Sequence, residues 1–317
     1  MEGKPLRRLI SLARISQETP YGVRFDYRDP LLESSLENRG ILFPILLVQE
    51  KDQGRVVSGC KRFLHARRRR WKEIPGVMIE EKFTPKELFL LSLYSNWNQR
   101  FTELDRMEVL RKGETAFGFS ENELEKEIFP VLGMASSRGF FEEYRKVSSL
   151  PSEIHSLIHE QKLPFRGASS LSRFSREEQL LLAGNVFNRV HLTTNQVILL
   201  SEWLADLKRI RKSALEALLA EEALTGLLRR GQRDARTRGE NFFEALRRLR
   251  FPKLSETERK FVRLKTELGD SDEIHLDRPE GFEAPGLTLR ARLRDREGVV
   301  RVLRFLESHR GTLETFL

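Results

Sequence analysis

Ser58-Gly59-Cys60-Lys61-Arg62-Phe63-Leu64-His65-Ala66 brings a glycine, the only cysteine of the chain and two adjacent cations into one short run. It follows the apolar stretch Arg55-Val56-Val57 and opens a segment of helical character. Glycine lets the backbone turn tightly and approach a ligand closely. The first amides of a helix lack intrahelical partners and lie at the positive end of its dipole, so they suit an anion. Lys61 and Arg62 add positive charge at that end. The predicted chemistry is a phosphate-sized anion site with Cys60 inside it. A thiol at a helix start beside cations is also expected to have thiolate character, the condition for nucleophilic sulfur chemistry. The plain alternative is a basic helix start with a small buried thiol, and the run alone leaves both open.

Other chemistry-bearing residues are weaker. His155 and His159, four apart, would share a helix face, but no third ligand accompanies them, and no Cys/His cluster has zinc-site spacing. Trp71, Trp97 and Trp203 are of a type that stacks on bases, yet isolated aromatics in helices are ordinarily core. Phe242-Phe243 with Leu246 reads as helix core or a dimer seam.

The elements that must position the anion site form a small α/β pattern. Ile41 to Val48 is apolar and β-rich, Glu50 to Gly54 is a turn, and Arg55-Val56-Val57 returns. A helix is predicted from Gly59 to about Arg70, then a strand at Gly76-Val77-Met78-Ile79. Thr84-Pro85-Lys86-Glu87 has the form of a helix start, with a threonine cap, proline at the first helical position and a glutamate closing a capping box. After Gly113 no strand pattern remains for a long stretch. Glu121 to Phe129 is helical, Pro130 to Gly133 reads as a break, and Ser136 to Val147 is helical again, the outline of a helix-turn-helix. Residues 213–250 are predicted as one or two basic helices. Near the end, Glu273 to Leu276 and Leu287 to Leu293 alternate like strands, and Gly298 to His309 is an apolar-faced helix.

The expected fold class is multidomain α+β. Residues 1–19 are expected as a tail, 20–113 as the α/β domain, 114–212 as a helical helix-turn-helix domain, 213–254 as a basic helical linker and 255–317 as a β-β-α segment. That last piece is too small to bury a core alone, so it is expected to pair with a second copy or to pack on the rest.

Charge points to the partner. The chain has 317 residues, a net charge of +9, and basic clusters at Arg67 to Arg70, Lys208 to Lys212, Arg229 to Arg238 and Arg247-Arg248 with Arg250. Such a balance favours a polyanion, most simply nucleic acid. A single cysteine fits a reducing cytoplasm without a disulfide framework. No apolar run is long enough to span a bilayer, and the N-terminus lacks the apolar centre of a signal peptide.

Three ordered segments carry a resemblance: Gly40-Ile41-Leu42-Phe43-Pro44-Ile45-Leu46-Leu47-Val48; Ser58-Gly59-Cys60-Lys61-Arg62 with the later Ile74-Pro75-Gly76-Val77; and Ser95-Asn96-Trp97-Asn98-Gln99-Arg100. In order and spacing they resemble the N-terminal domain of the ParB family. Leu132 to Arg138 followed by Leu150-Pro151-Ser152-Glu153-Ile154, then Lys162-Leu163, Ala168 to Phe174 and Glu177 to Gln179, is similar to the helix-turn-helix of that family and its sequel. The resemblance spans roughly residues 20–210. It implies a dimeric DNA-binding clamp of the chromosome- or plasmid-partitioning type, located in the cytoplasm on the nucleoid. Its cofactors would be CTP and magnesium, and a partitioning ATPase a possible partner. By position, Gly59, Cys60, Lys61 and Arg62 would meet the triphosphate. Asn96, Gln99 and Arg100 would form the second phosphate segment. Ser136, Ser137 and Arg138 would begin the DNA-reading helix.

Two departures bear on catalysis. The family glutamate after the glycine is Cys60 here, and Asn96-Trp97-Asn98-Gln99-Arg100 contains no glutamate. A hard cation prefers oxygen ligands, above all carboxylates. Nucleotide binding is therefore expected with hydrolysis slow or absent, with Glu103 and Asp105 the nearest downstream carboxylates. Two alternatives stay open. One is a transcription regulator that keeps the fold without nucleotide switching. The other is sulfiredoxin-like chemistry at Cys60, because Gly59-Cys60-Lys61-Arg62 also resembles the Gly-Cys-His-Arg segment of that family.

Overall fold

The computed structural model describes residues 8–50, 52–79, 82–134, 138–228, 234–268, 274–277, 287–293 and 295–316. The chain divides into two compact units, residues 1–188 with 193–198, and residues 189–192 with 199–317. It is multidomain α+β, the class expected from the sequence.

The first unit begins with β1 (Arg8–Ser11), α1 (Pro30–Arg39), β2 (Ile45–Glu50), β3 (Gln53–Ser58), α2 (Cys60–Arg68), β4 (Glu73–Ile79), α3 (Pro85–Tyr94) and α4 (Glu103–Thr115). The strands form one sheet in the order β1-β4-β2-β3. β2 runs parallel to β4, with Ile45 opposite Gly76, while β1 with β4 and β2 with β3 are antiparallel. Alternation decides the faces. Ile45 and Leu47 of β2, Val56 of β3 and Ile74 of β4 point into one core, closed by Phe63 and Ala66 of α2 and by Leu36 of α1. Burying these branched and aromatic side chains is what holds the helices on the sheet. α3 packs along β3, and its predicted capping box is complete. The Thr84 amide donates to Glu87 Oε2 at 2.7 Å, and the Glu87 amide donates to Thr84 Oγ1 at 3.3 Å.

One expectation changes here. Residues 8–11 belong to no tail: β1 is an edge strand, with Ile10 opposite Ile74. Gly113 lies buried inside α4, and among the described residues no strand follows it until β5.

The helical part of this unit contains α5 (Glu121–Glu123), α6 (Phe129–Leu132), α7 (Arg138–Ser148), α8 (Ser152–His159), α9 (Phe165–Ala168) and α10 (Arg176–Leu182). Pro130 does not interrupt the helix as expected. A π turn over Leu124–Ile128 joins α5 to α6, with the Phe129 amide donating five residues back to the Leu124 carbonyl. That wider turn accommodates a proline at the next position, where no amide is available to continue an ordinary ladder. The helix ends instead at Gly133, in the left-handed region at φ 63°. α11 (Thr194–Arg211) leads into the second unit.

The second unit continues with α12 (Leu215–Leu219), α13 (Glu222–Leu228), α14 (Ala235–Arg250) and α15 (Pro252–Leu268), then the two-stranded β5 (Ile274–Asp277) and β6 (Thr288–Ala291), and α16 (Arg296–Ser308) and α17 (Arg310–Phe316). Residues 213–250 thus hold three described helices rather than one or two. Phe242 and Leu246 of α14 are fully buried, and Phe243 stacks on Trp203 with ring centroids 4.7 Å apart. The expected β-β-α order is present, with His275 opposite Arg290.

Candidate functional site

The turn from β3 into α2 is built around Gly59. This residue is the N-cap of α2 at φ 94° and ψ 24°, a left-handed conformation that favours glycine. Space enforces the same choice: a Cβ there would lie 2.8 Å from Ile45 Cγ2 and 3.0 Å from Arg62 Nη2. A glycine cap offers no side-chain acceptor, so nothing caps the first turn of α2 through a side chain. Ser58 to Arg62 line an open cleft of about 550 Å³. Residues from the end of α3 onward, including Ser95, Asn96, Asn98 and Gln99, line it too, as do Arg24, Tyr27 and Phe43. The hydroxyls of Ser58 and Ser95 are hydrogen-bonded at 2.7 Å and tie the two backbone segments together.

Every cation of the cleft is already held. Lys61 Nζ donates to Asp29 Oδ2 at 2.9 Å, which keeps the Asp29 carboxyl below its usual range. Arg62 Nη1 donates to the Phe43 carbonyl and, at 2.9 Å, to the Pro44 carbonyl. Burial lowers the Arg62 guanidinium from its ordinary value.

Arg24 is the most enclosed. Its Nη1 donates to Asp105 Oδ2 at 3.0 Å and to the Arg100 carbonyl at 2.8 Å, and its Nη2 to Gln99 Oε1 at 3.1 Å. The guanidinium lies 4.2 Å from the centroid of the Phe101 ring. Its Nε is buried without a partner. Asp105 also accepts from the Phe25 amide at 2.8 Å and the Thr102 amide at 2.9 Å. Sequence reasoning passed over this knot. Its only local trace is the Thr102-x-x-Asp105 capping box that starts α4.

Cys60 corrects an expectation. Its side chain is buried, and burial pushes the thiol from 9.0 up to about 11, against the opposing pull of the Lys112 and Arg62 charges and its own amide. Desolvation of a thiolate outweighs the helix end and the cations. Burial therefore opposes the expected thiolate character, and with it the sulfur-chemistry alternative.

The remaining predicted residues divide. Asn96 lines the cleft and its Nδ2 donates to the Ser92 carbonyl at 2.8 Å, while Gln99 is held by Arg24. Arg100 does not line the cleft, and its carbonyl serves Arg24. Trp97 is exposed beside it. Among the described residues no carboxylate lines the cleft: Asp29 and Asp105 are engaged by Lys61 and Arg24, and Glu103 pairs with Arg106 at 3.0 Å and accepts from Tyr144. No group of three His, Cys, Asp or Glu among the described residues could hold a metal ion. The donor set therefore suits an anion and does not fit a magnesium ion held by carboxylates.

Ser136 and Ser137 lie outside the described residues, and Arg138 is the first residue of α7. His155 and His159 do not converge. His155 Nε2 bonds the Val147 carbonyl at 2.8 Å, His159 lies 3.3 Å from Asp26, and both pack on Phe25.

No family model and no curated protein matches the chain. Among solved structures it is similar to the C-terminally truncated chromosome-partitioning protein ParB from Caulobacter crescentus complexed to the centromeric parS site. The identity is 18%, covering 62% of this chain and 98% of that one, with a TM-score of 0.37. It is also similar to the same truncated ParB complexed with CTP-gamma-S, at 19% identity over 56% of this chain and 96% of that one, with a TM-score of 0.25. No described helix is long and apolar enough to cross a membrane.

Proposed function

We propose that this chain is a ParB-like DNA-binding protein acting in DNA partitioning or nucleoid organisation, with CTP as the ligand of the Gly59 cleft and the signal that changes its hold on DNA. One observation carries the reading: a left-handed glycine heads an uncapped helix on a cleft of about 550 Å³ whose cations are fixed in place. Triphosphate oxygens accept best from preorganised donors, and the amides of Lys61 and Arg62, the Arg62 guanidinium and the side-chain amides of Asn96 and Gln99 are of that kind. Arg24 positions Gln99 and adds its buried Nε. The ordered motifs around Gly40, Gly59 and Asn96 support the same assignment.

CTP brings the triphosphate whose charge the cleft would read, while a lining without carboxylates predicts slow or absent hydrolysis. DNA is the partner that the net charge of +9 favours. Base reading falls to the start of α7, with Ser136, Ser137 and Arg138. Dimerisation falls to residues 255–317, where α16 leaves Val299, Val300 and Leu303 about half exposed with Leu293 just before it. An apolar stripe of this kind suits a second copy. A cytoplasmic, nucleoid-associated location and a partner ATPase belong to the same reading.

Calorimetry with CTP, ATP, GTP and UTP, beside a phosphate-release assay, tests the proposal. CTP is expected to bind without appreciable turnover, and Arg62→Ala to abolish binding. Binding of no nucleotide would leave a plain DNA-binding regulator. Brisk turnover would mean that a carboxylate reaches the phosphates, and Glu103 and Asp105 would be the first to replace.

A further inference from the structure

In the second unit α14 and α15 border an open groove of about 320 Å³ lined by Arg247, Arg248, Arg259 and Arg263, with Glu244, Glu258 and Ser255. These charges are not equivalent. Arg247 is engaged by Glu258 through two hydrogen bonds, at 2.7 and 2.8 Å, which join the two helices. Arg248, Arg259 and Arg263 are exposed and make no ion pair among the described residues; the Arg259 Nε donates only to the Ser255 carbonyl, at 3.3 Å. Arg259 and Arg263 are four residues apart, one helical turn, so their side chains rise from the same face of α15. Beneath them Ser255, a buried residue, has a hydroxyl with no hydrogen-bond partner. A buried hydroxyl is nearly always satisfied, so an orphan at the base of a groove ringed by unpaired guanidiniums marks a position for an acceptor that arrives from outside.

We infer that this groove binds phosphate groups of the backbone of duplex DNA, independently of sequence. Guanidiniums present a planar fork matched to phosphate oxygens, and Ser255 Oγ supplies one more donor below them. A phosphodiester carries one charge per unit and no base information, which fits a site of exposed arginines with no surface for reading base edges. A free nucleotide or inorganic phosphate shares this chemistry. The polyanion is favoured because Arg248, Arg259 and Arg263 are open to solvent and would release counterions on contact. The groove shares no residue with the Gly59 cleft or the start of α7, and the inference rests on neither CTP binding nor sequence reading.

The test measures anisotropy of a random-sequence duplex with the full chain over a series of salt concentrations, comparing wild type with Arg248→Ala/Arg263→Ala and Arg248→Lys/Arg263→Lys. Each phosphate contact contributes about 0.9 to the slope of log K against log salt. The alanine pair is expected to reduce that slope by about 1–2 and to weaken binding roughly tenfold at low salt. The lysine pair keeps the charge and is expected to keep most of the slope, which separates charge from folding. Both positions are exposed, and thermal melting of each variant checks the fold. Ser255→Ala is expected to weaken binding a few-fold without altering the slope. An unchanged slope in the alanine pair would overturn the assignment. So would loss of CTP or pyrophosphate binding in calorimetry with duplex binding intact, which would move the groove to small phosphates. Because the probe is random duplex, failure here is distinguishable from failure of the CTP and site-reading proposal.

Discussion

The Gly59 cleft and the α14–α15 groove both gather arginines, but they leave them in opposite conditions. In the cleft Lys61 is paired with Asp29, Arg62 is fastened to two backbone carbonyls, and Arg24 is enclosed by Asp105, Gln99 and Phe101. In the groove, among the described residues, only Arg247 is partnered by a close carboxylate, and Arg248, Arg259 and Arg263 are exposed. A held cation has paid its ordering in advance, so it can recognise one small anion in one geometry. A loose cation attracts charge of any arrangement and yields to salt. The difference separates a site fit for a defined ligand from one fit for a polymer.

The sharpest way to break the comparison is to release the cleft's buried cation. Asp105→Ala leaves the Arg24 guanidinium buried without its carboxylate and also removes the half of the α4 capping box that accepts from the Thr102 amide. Breaking one partner of a buried pair typically costs about 3–5 kcal/mol. Urea unfolding of the first unit is expected to show a loss of that size. Arg24→Met/Asp105→Ala is expected to lose less than the two single changes added, since no unpaired charge remains. Additive losses would show that the two side chains act separately.

Gly59→Ala comes next. It forces a Cβ into a left-handed residue and against Ile45, a fully buried side chain, and the Arg62 guanidinium. Strain and overpacking together are expected to cost about 2–4 kcal/mol. Nucleotide binding is expected to vanish because Arg62 is displaced. Binding that survives with full stability would mean that the turn relaxes freely and that the cleft is not preorganised.

The two regions also differ in how readable they were. Gly59 declared itself because only a few residue types serve at a left-handed cap before a helix, and Thr84 to Glu87 because a capping box is local. β1 escaped notice because Arg8–Ser11 is four residues long with a half-exposed pattern at a sheet edge, so pairing with β4 rather than periodicity defines it. The Arg24–Asp105 knot joins residues 81 apart, and nothing in either neighbourhood names the other. Pro130 misled because proline breaks an ordinary ladder but not one already widened by a π turn. Cys60 misled most. Its neighbours in sequence favour a thiolate, while its neighbours in space, a packed sheet and helix, disfavour any charge. The unpaired state of Arg248, Arg259 and Arg263 was equally invisible, since a run of arginines does not tell which of them a glutamate will hold.

Cys60 gives a third expected outcome, smaller again. With its thiol raised from 9.0 to about 11, the folded chain keeps a proton that the unfolded chain has released. Stability from this group is complete below pH 9 and is lost as pH rises through 11, by roughly 2–3 kcal/mol. Tyr21, pushed up to about 12 chiefly by burial and then by Glu50, adds a loss in an overlapping alkaline range. The difference between wild type and Cys60→Ser removes the Tyr21 contribution, which both chains share, and reports the thiol together with its coupling to Tyr27, whose hydroxyl is raised by burial and then by Cys60. The same shift lowers the thiolate fraction near pH 8 about a hundredfold, so labelling by iodoacetamide is expected to be slow until the protein unfolds. Rapid labelling of the native chain would restore the nucleophile that burial disfavours.

The smallest effect sharpens the comparison from the other side by making the groove's one held arginine loose. Glu258→Gln removes the carboxylate that engages Arg247, leaving Glu244 at 3.9 Å as its nearest remaining partner. The pair is only partly buried, with side-chain exposures of 26% and 17%, so its loss is expected to cost about 1 kcal/mol or less. The glutamine keeps the shape and one acceptor, which leaves α14 and α15 in contact. What changes is charge: a fourth guanidinium becomes available and the chain gains one positive charge. Random-duplex binding is expected to tighten a few-fold at low salt, and the salt slope to steepen by about 0.9, the increment of one further phosphate contact. Calorimetry with CTP is expected to be unaffected, because the Gly59 cleft takes no part in this pair. A tighter hold on DNA with no change in slope would mean that the gain comes from something other than a phosphate contact, and that Arg247, freed or held, does not face the polymer.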